Sequence, residues 1–199
     1  MPASKTALLE KDNLRLRAEV AGLKLALAEL REEMAFHRRH DRSMNAKEGE
    51  NYLRDLLGGE LSVHNAGHDL VVGGMKFEVK TSDCASVDHK KTLSTMRWTW
   101  HRILGNSGRK GFDRLLLLGK ADPRYLDRYR DADSPYVIFD VPVRAVPDLL
   151  SNTTPAFIQV STNPDRQRTP KGQLLWSLQI TRAELKKKYA GRTAVKRRK

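Results

Sequence analysis

His68-Asp69-Leu70-Val71-Val72-Gly73-Gly74-Met75-Lys76-Phe77-Glu78-Val79-Lys80-Thr81 is the stretch that decides the fold class. Two alternating runs flank Gly73-Gly74, and a two-residue glycine turn between alternating runs predicts a β-hairpin. The register follows from the turn. Val72 faces Met75, Val71 faces Lys76, Leu70 faces Phe77 and Asp69 faces Glu78. Leu70, Val72, Met75, Phe77 and Val79 then share one face, which the pattern assigns to the core. Asp69, Glu78 and Lys80 share the other face.

Directly opposed residues have Cβ atoms about 5 Å apart. Two carboxylates at that spacing repel, and a bound divalent cation removes the repulsion while gaining oxygen ligands. Lys80, two residues beyond Glu78, points to the same side. There its amine can deprotonate a metal-bound water, or its ammonium can orient that water or stabilise a pentavalent phosphate.

Upstream, residues 48–57 (EGENYLRDLL) read as a helix with Leu53, Leu56 and Leu57 inward, ended by Gly58-Gly59. Leu61 to His64 reads as a strand. Asp69, an eight-residue gap and Glu78-Val79-Lys80, behind a helix with an inward Glu, resemble the PD-(D/E)XK nuclease superfamily. The resemblance covers about residues 46–120. It implies a mixed sheet flanked by helices, a restriction-endonuclease-like core, and Mg²⁺-dependent phosphodiester cleavage, with Mn²⁺ expected to substitute. By that resemblance Asp69, Glu78 and the carbonyl of Val79 bind metal, and Lys80 positions the attacking water. A helix Glu completes the shell: Glu50, on the face of Leu53 and Leu57, with Glu48 in reserve. The family's Pro before the Asp is His68 here.

Downstream, residues 88–104 read as a helix, with Trp98 and Trp100 as packing residues and Lys90, Lys91 and Arg97 as phosphate contacts. Residues 106–111 form a basic loop in which Arg109 and Lys110 either touch a DNA backbone or decorate an ordinary turn. That loop lacks the P-loop spacing. Leu115-Leu116-Leu117-Leu118 suits a buried central strand. Tyr136 to Phe139 reads as a strand, and residues 142–150 as a short helix interrupted by Pro147. Phe157 to Val160 and Leu175 to Ile180 read as late strands. The polar loop 161–173 between them offers Arg166, Arg168 and Lys171 to DNA.

At the other end, Leu9, Leu16, Leu23 and Leu30 recur every seven residues. Taken as d positions, they make Thr6, Asn13, Val20, Leu27 and Met34 the a positions, a pattern that favours a parallel dimer. The g-to-e pairs Lys5 with Glu10, Asp12 with Arg17, and Glu19 with Lys24 attract in that arrangement. The alternative is a single amphipathic helix packed on its own domain. A basic-zipper factor is disfavoured, because only Lys5 lies in the stretch where its basic helix would precede the zipper. The expected organisation is a coiled-coil dimerisation helix at 1–36, a linker or helix break at 37–47, a nuclease domain at 48–181 and a basic tail at 182–199.

Composition narrows the partner. The net charge is +13 and the pI about 10, which draws polyanions, usually nucleic acid. Residues 182–199 hold nine Lys or Arg against Glu184 alone, as a flexible phosphate-gripping arm or a solubilising tail. Cys84 is the only cysteine, which excludes an internal disulfide and a cysteine zinc cluster. No apolar run has the length of a membrane span, and no signal-peptide core opens the sequence. A cytoplasmic, DNA-associated location is expected.

The function expected from these features is metal-dependent cleavage of double-stranded DNA by a homodimer, sequence-specific in the manner of type II restriction enzymes. The alternatives are a Holliday-junction resolvase or nickase of the same fold, and a non-catalytic dimeric DNA-binding protein.

Overall fold

A computed structural model describes residues 5–63, 66–86, 96–105 and 111–191, and the chain divides into two units, Met1–Met44 and Asn45–Lys199. Helix α1 runs Lys5–Leu57. Within the first unit its side chains Leu16, Val20, Leu23 and Leu27 are 53, 49, 67 and 50% exposed. They form an apolar stripe at a and d spacing. The side chains of Thr6, Leu9, Leu30 and Met34 lie outside the described residues.

The expected break at 37–47 does not occur, since α1 continues through it. The stretch HRRHDRSMNAK contains neither Gly nor Pro, so losing the heptad ends an apolar seam without ending a helix. The unit boundary nevertheless falls inside that stretch.

The second unit is mixed α/β. After α1 come strands β1 (Glu60–Leu61), β2 (Leu70–Val72), β3 (Met75–Ser82), β4 (Ala85–Ser86), β5 (Met96–His101), β6 (Arg114–Lys120) and β7 (Tyr136–Pro142). Helix α2 (Val146–Leu149), β8 (Phe157–Ser161), α3 (Pro170–Ser177), β9 (Gln179–Ile180) and α4 (Arg182–Tyr189) complete it. The central sheet has the order β1-β2-β3-β6-β7-β9, and only its β3–β6 pair is parallel. A second, antiparallel sheet has the order β4-β5-β8.

The hairpin has the register its turn dictates: Val72 opposite Met75, Val71 opposite Lys76 and Leu70 opposite Phe77. Gly73 and Gly74 both take positive φ, at 56° and 82°, as a type I′ turn requires. Leu70, Val72, Phe77 and Val79 are buried with Leu53 and Leu57 of α1 and Leu185 and Tyr189 of α4. Leu115 to Leu118 are fully buried in β6, as a central strand demands. The opposite face of the sheet packs against Trp98, Trp100, Ile158 and Val160 of the second sheet and Leu175 of α3.

Four elements differ from their sequence reading. The expected helix at 88–104 contains strand β5, while residues 87–95 lie outside the described ones. Its alternation wins: Trp98 and Trp100 are buried, and Arg97, Thr99 and His101 point the other way. The indole Nε1 of Trp98 donates to the Lys120 carbonyl at 2.9 Å, and that of Trp100 to the Leu118 carbonyl at 3.1 Å. Gly119 lies between them, and a Cβ there would sit 2.4 Å from the Trp98 ring.

The expected strand Leu175 to Ile180 is the end of α3 followed by the short β9. Thr169 caps α3 by accepting the Gly172 N–H, and Pro170 occupies the first turn, where no amide is needed. Pro147 likewise lies in the first turn of α2 rather than interrupting a helix. The basic tail is not an arm from residue 182, because α4 is a packed helix with Leu185 and Tyr189 buried. Thr181 and Glu184 form a reciprocal capping box that starts it. Residues 192–199 lie outside the described ones.

Candidate functional site

β2 begins at Leu70, so its pairing with β3 stops at Phe77 and the β3 edge beyond has no strand beside it on that side. Asp69 occupies that place. Its N–H donates to the Phe77 carbonyl at 2.8 Å, and its carboxylate accepts the Val79 N–H at 2.8 Å. In an extended strand a residue's N–H and C=O point to the same side, so the Val79 carbonyl faces this open edge as well.

Glu78 and Lys80 alternate to the face toward the second sheet. Ser82, on the same face, accepts the Thr99 N–H at 2.9 Å. The Glu78 side chain is 0% exposed, and the Lys80 ammonium lies 2.5 Å from its Oε1. This is no solvated charged surface. It is a carboxylate removed from water with a cation beside it, an arrangement stable only when the charges are matched.

The repulsion expected between the two carboxylates is relieved within the chain. Asp69 turns onto a backbone amide, and Glu78 onto Lys80. Among the described residues, no three His, Cys, Asp or Glu side chains gather closely enough to ligate one ion. The chemistry of the donors still fits a hard divalent cation, since Asp69, Glu78 and the Val79 carbonyl all offer oxygen.

The helix that carries Glu48 and Glu50 packs on the other face of the sheet. α1 rests on β3 at Gly49, where a Cβ would lie 2.2 Å from the Thr81 Oγ1. Thr81 shares the face of Phe77 and Val79, opposite to that of Glu78. Glu50 is partly buried beside Gly49, and Glu48 is exposed. The charge of Glu48, after burial, helps push the Tyr136 phenol up. Of the two helix carboxylates, Glu50 is the more buried. Gly49→Ala is expected to destabilise the fold by about 1–3 kcal/mol through overpacking. Denaturant unfolding checks this, and the same change in a Thr81→Ala background should lose most of the penalty.

The expected DNA contacts divide into two groups. Lys90, Lys91, Arg109 and Lys110 lie outside the described residues. Arg97, Arg166, Arg168 and Lys171 converge on one cavity of about 490 Å³. Its other walls include Leu149, Ser151, Phe157, Gln159 and Thr169. The loop that carries the arginines is pinned. The Gln167 amide donates to the Asn163 carbonyl at 2.6 Å, Asn163 caps the Asp165 N–H at 3.0 Å, and the Thr162 hydroxyl donates to Asp122 at 2.7 Å. Sequence reasoning left Gln159, Gln167 and Thr169 out of the site. Only Thr169-Pro170, a cap signal, was there to find.

Cys84 is an inert thiol. Burial, then the charge of Asp122, pushes it up to about 12, so almost no thiolate forms at neutral pH. Burial alone would raise Asp122, but hydrogen bonds from Arg124 and Thr162 outweigh it and hold the carboxyl well below the usual range. Among the described residues no helix is long and apolar enough to cross a membrane.

Set beside known proteins, the chain matches no protein-family model and no curated protein.

Proposed function

We propose that the chain is a Mg²⁺-dependent endonuclease that hydrolyses phosphodiester bonds of double-stranded DNA as a homodimer, on a restriction-endonuclease-like core of the PD-(D/E)XK type. The observation that carries this reading is the fully buried Glu78 with Lys80 at 2.5 Å, next to the strand edge that Asp69 occupies. A buried carboxylate is costly to keep, and an exposed lysine elsewhere would have served solubility equally well.

Asp69, Glu78 and the Val79 carbonyl are the groups that would hold the ion, with Mn²⁺ able to substitute, and Glu50 the helix carboxylate to join them. The ion, when bound, stabilises charge developing on the phosphate and acidifies a water. Lys80 holds its ammonium where that water approaches phosphorus, orienting it and stabilising the equatorial oxygens. Water attacks phosphorus, the bond to the leaving oxygen breaks, and that oxygen takes up a proton.

The dimer is supported by the exposed stripe Leu16, Val20, Leu23 and Leu27. A parallel coiled coil covers it and brings the g-to-e charge pairs together. Two sites related by a two-fold axis suit the two antiparallel strands of a duplex.

Supercoiled plasmid in Mg²⁺ tests the reading. Discrete linear fragments are expected from the wild type, and none from Asp69→Ala. Nicked circles alone would replace the paired cut with a nickase or resolvase. Absence of any cleavage of duplex or four-way junctions in Mg²⁺ or Mn²⁺ would overturn the enzyme and leave a DNA-binding dimer.

A further inference from the structure

The cavity between β5, β8 and the start of α3 is built for an anion. Arg97, Arg166, Arg168 and Lys171 line it, and among the described residues no carboxylate does. Among the described residues none of these four side chains is paired with an acid. Arg97 donates only to the Gln159 side chain, at 2.9 Å, and Lys171 to the Leu150 carbonyl. Four like charges around one hollow repel one another, and an anion entering it relieves that repulsion. The neighbouring Asp165 is engaged by Arg128.

Size and lining select the anion. A volume of about 490 Å³ falls in the range of small-ligand pockets and takes a single nucleotide, whereas a duplex is far too wide to enter. Leu149, Phe157 and Val160 supply apolar wall for a base or sugar, while the guanidinium groups match phosphate oxygens in pairs. Thr99 and Arg97 hold Gln159 in place through both ends of its amide, so this wall is set before a ligand arrives.

We propose that this cavity binds one unpaired nucleotide through its phosphate, separately from the carboxylate hairpin. The chemistry is that of a nucleoside phosphate. Its source is either a strand end or overhang of the DNA, or a free nucleotide. The proposal deepens the nuclease reading and rests on the chain acting on DNA, but it needs neither Asp69 nor a metal.

The test uses the full chain in EDTA, where cleavage cannot occur. Fluorescence anisotropy compares a blunt duplex with the same duplex carrying a short 5′-phosphorylated overhang. The overhang is expected to bind tighter by at least about tenfold, the worth of one or two charged hydrogen bonds. Arg166→Glu combined with Arg168→Glu should abolish that preference, because both side chains are exposed and their reversal leaves the core intact. Arg144→Glu, an exposed arginine that does not line the cavity, should keep it. Displacement of the labelled DNA's overhang preference by millimolar nucleoside monophosphate would extend the site to free nucleotides. Preference without displacement would restrict it to a DNA strand. Equal binding of blunt and overhang duplex by the wild type, or an unchanged preference in the double variant, would overturn the proposal. Asp69→Ala should retain the preference. A failure here therefore leaves the plasmid test standing, and a failure of cleavage leaves this one standing.

Discussion

Lys80→Ala is expected to lower plasmid cleavage by about 10²–10³-fold, the usual worth of one donor that stabilises charge in the transition state. DNA binding in EDTA should persist. Its position, 2.5 Å from the Oε1 of a carboxylate that is 0% exposed, makes a second effect inevitable. Removing the ammonium takes away the cation beside a buried anion, which costs on the order of 3 kcal/mol. Loss of cleavage in Lys80→Ala alone would therefore be ambiguous. Lys80→Arg separates the two effects. Arginine keeps a positive charge against Glu78, but its larger planar guanidinium does not put a donor where the compact ammonium holds the attacking water. Its denaturation midpoint should lie close to wild type while cleavage stays low. Cleavage by Lys80→Ala within tenfold of wild type would remove Lys80 from the chemistry.

Asp140→Ala is expected to destabilise the fold by about 3 kcal/mol, the lower end for breaking a buried charged network. The Asp140 carboxylate is 4% exposed and gathers three partners. The Arg114 Nε donates at 2.7 Å, the Lys188 ammonium at 2.7 Å and the Tyr189 hydroxyl at 2.8 Å. Arg114 belongs to β6, Asp140 to β7, and Lys188 and Tyr189 to α4, so one carboxylate ties the last helix to the centre of the sheet. Arg114 and Lys188 are 18% and 44% exposed and recover part of their hydration when the acid is gone, which keeps the loss from being larger. Tyr189→Phe removes a single hydrogen bond and should cost about 1 kcal/mol. Urea unfolding distinguishes the cases, and a loss below about 1 kcal/mol in Asp140→Ala would show that α4 is held by Leu185 and Tyr189 packing alone.

Local chemistry was legible in the sequence, and long-range convergence was not. Gly73-Gly74 carries its own turn geometry, so the register from Val72–Met75 to Leu70–Phe77 followed from residues a few positions apart, whereas the expected Asp69–Glu78 pairing is replaced by a bond from the Val79 N–H to the Asp69 carboxylate. Leu115 to Leu118 announced a central strand because only a strand covered on both faces tolerates an unbroken apolar run. The capping box at Thr181 and Glu184 was equally local, but the density of lysines and arginines drew the reading toward a charged arm, and α4 was missed. At 88–104 the helical composition of the flanks masked the period-two alternation of Trp98 and Trp100, whose strand is fixed by its pairing with Phe157–Ser161. Two features of the candidate sites belong to the tertiary structure alone. Glu78 is fully buried on the face of β3 that turns toward β5, a strand held in place by its pairing with the distant β8. Arg97 meets Arg166, Arg168 and Lys171 only because β5 pairs with β8, a contact between segments that no local pattern relates. Sequence by itself determined which residues carry charge and how short runs fold, since those depend on neighbours within a turn or a strand. Which charges are buried, and which share a cavity, was decided by the packing of the layers.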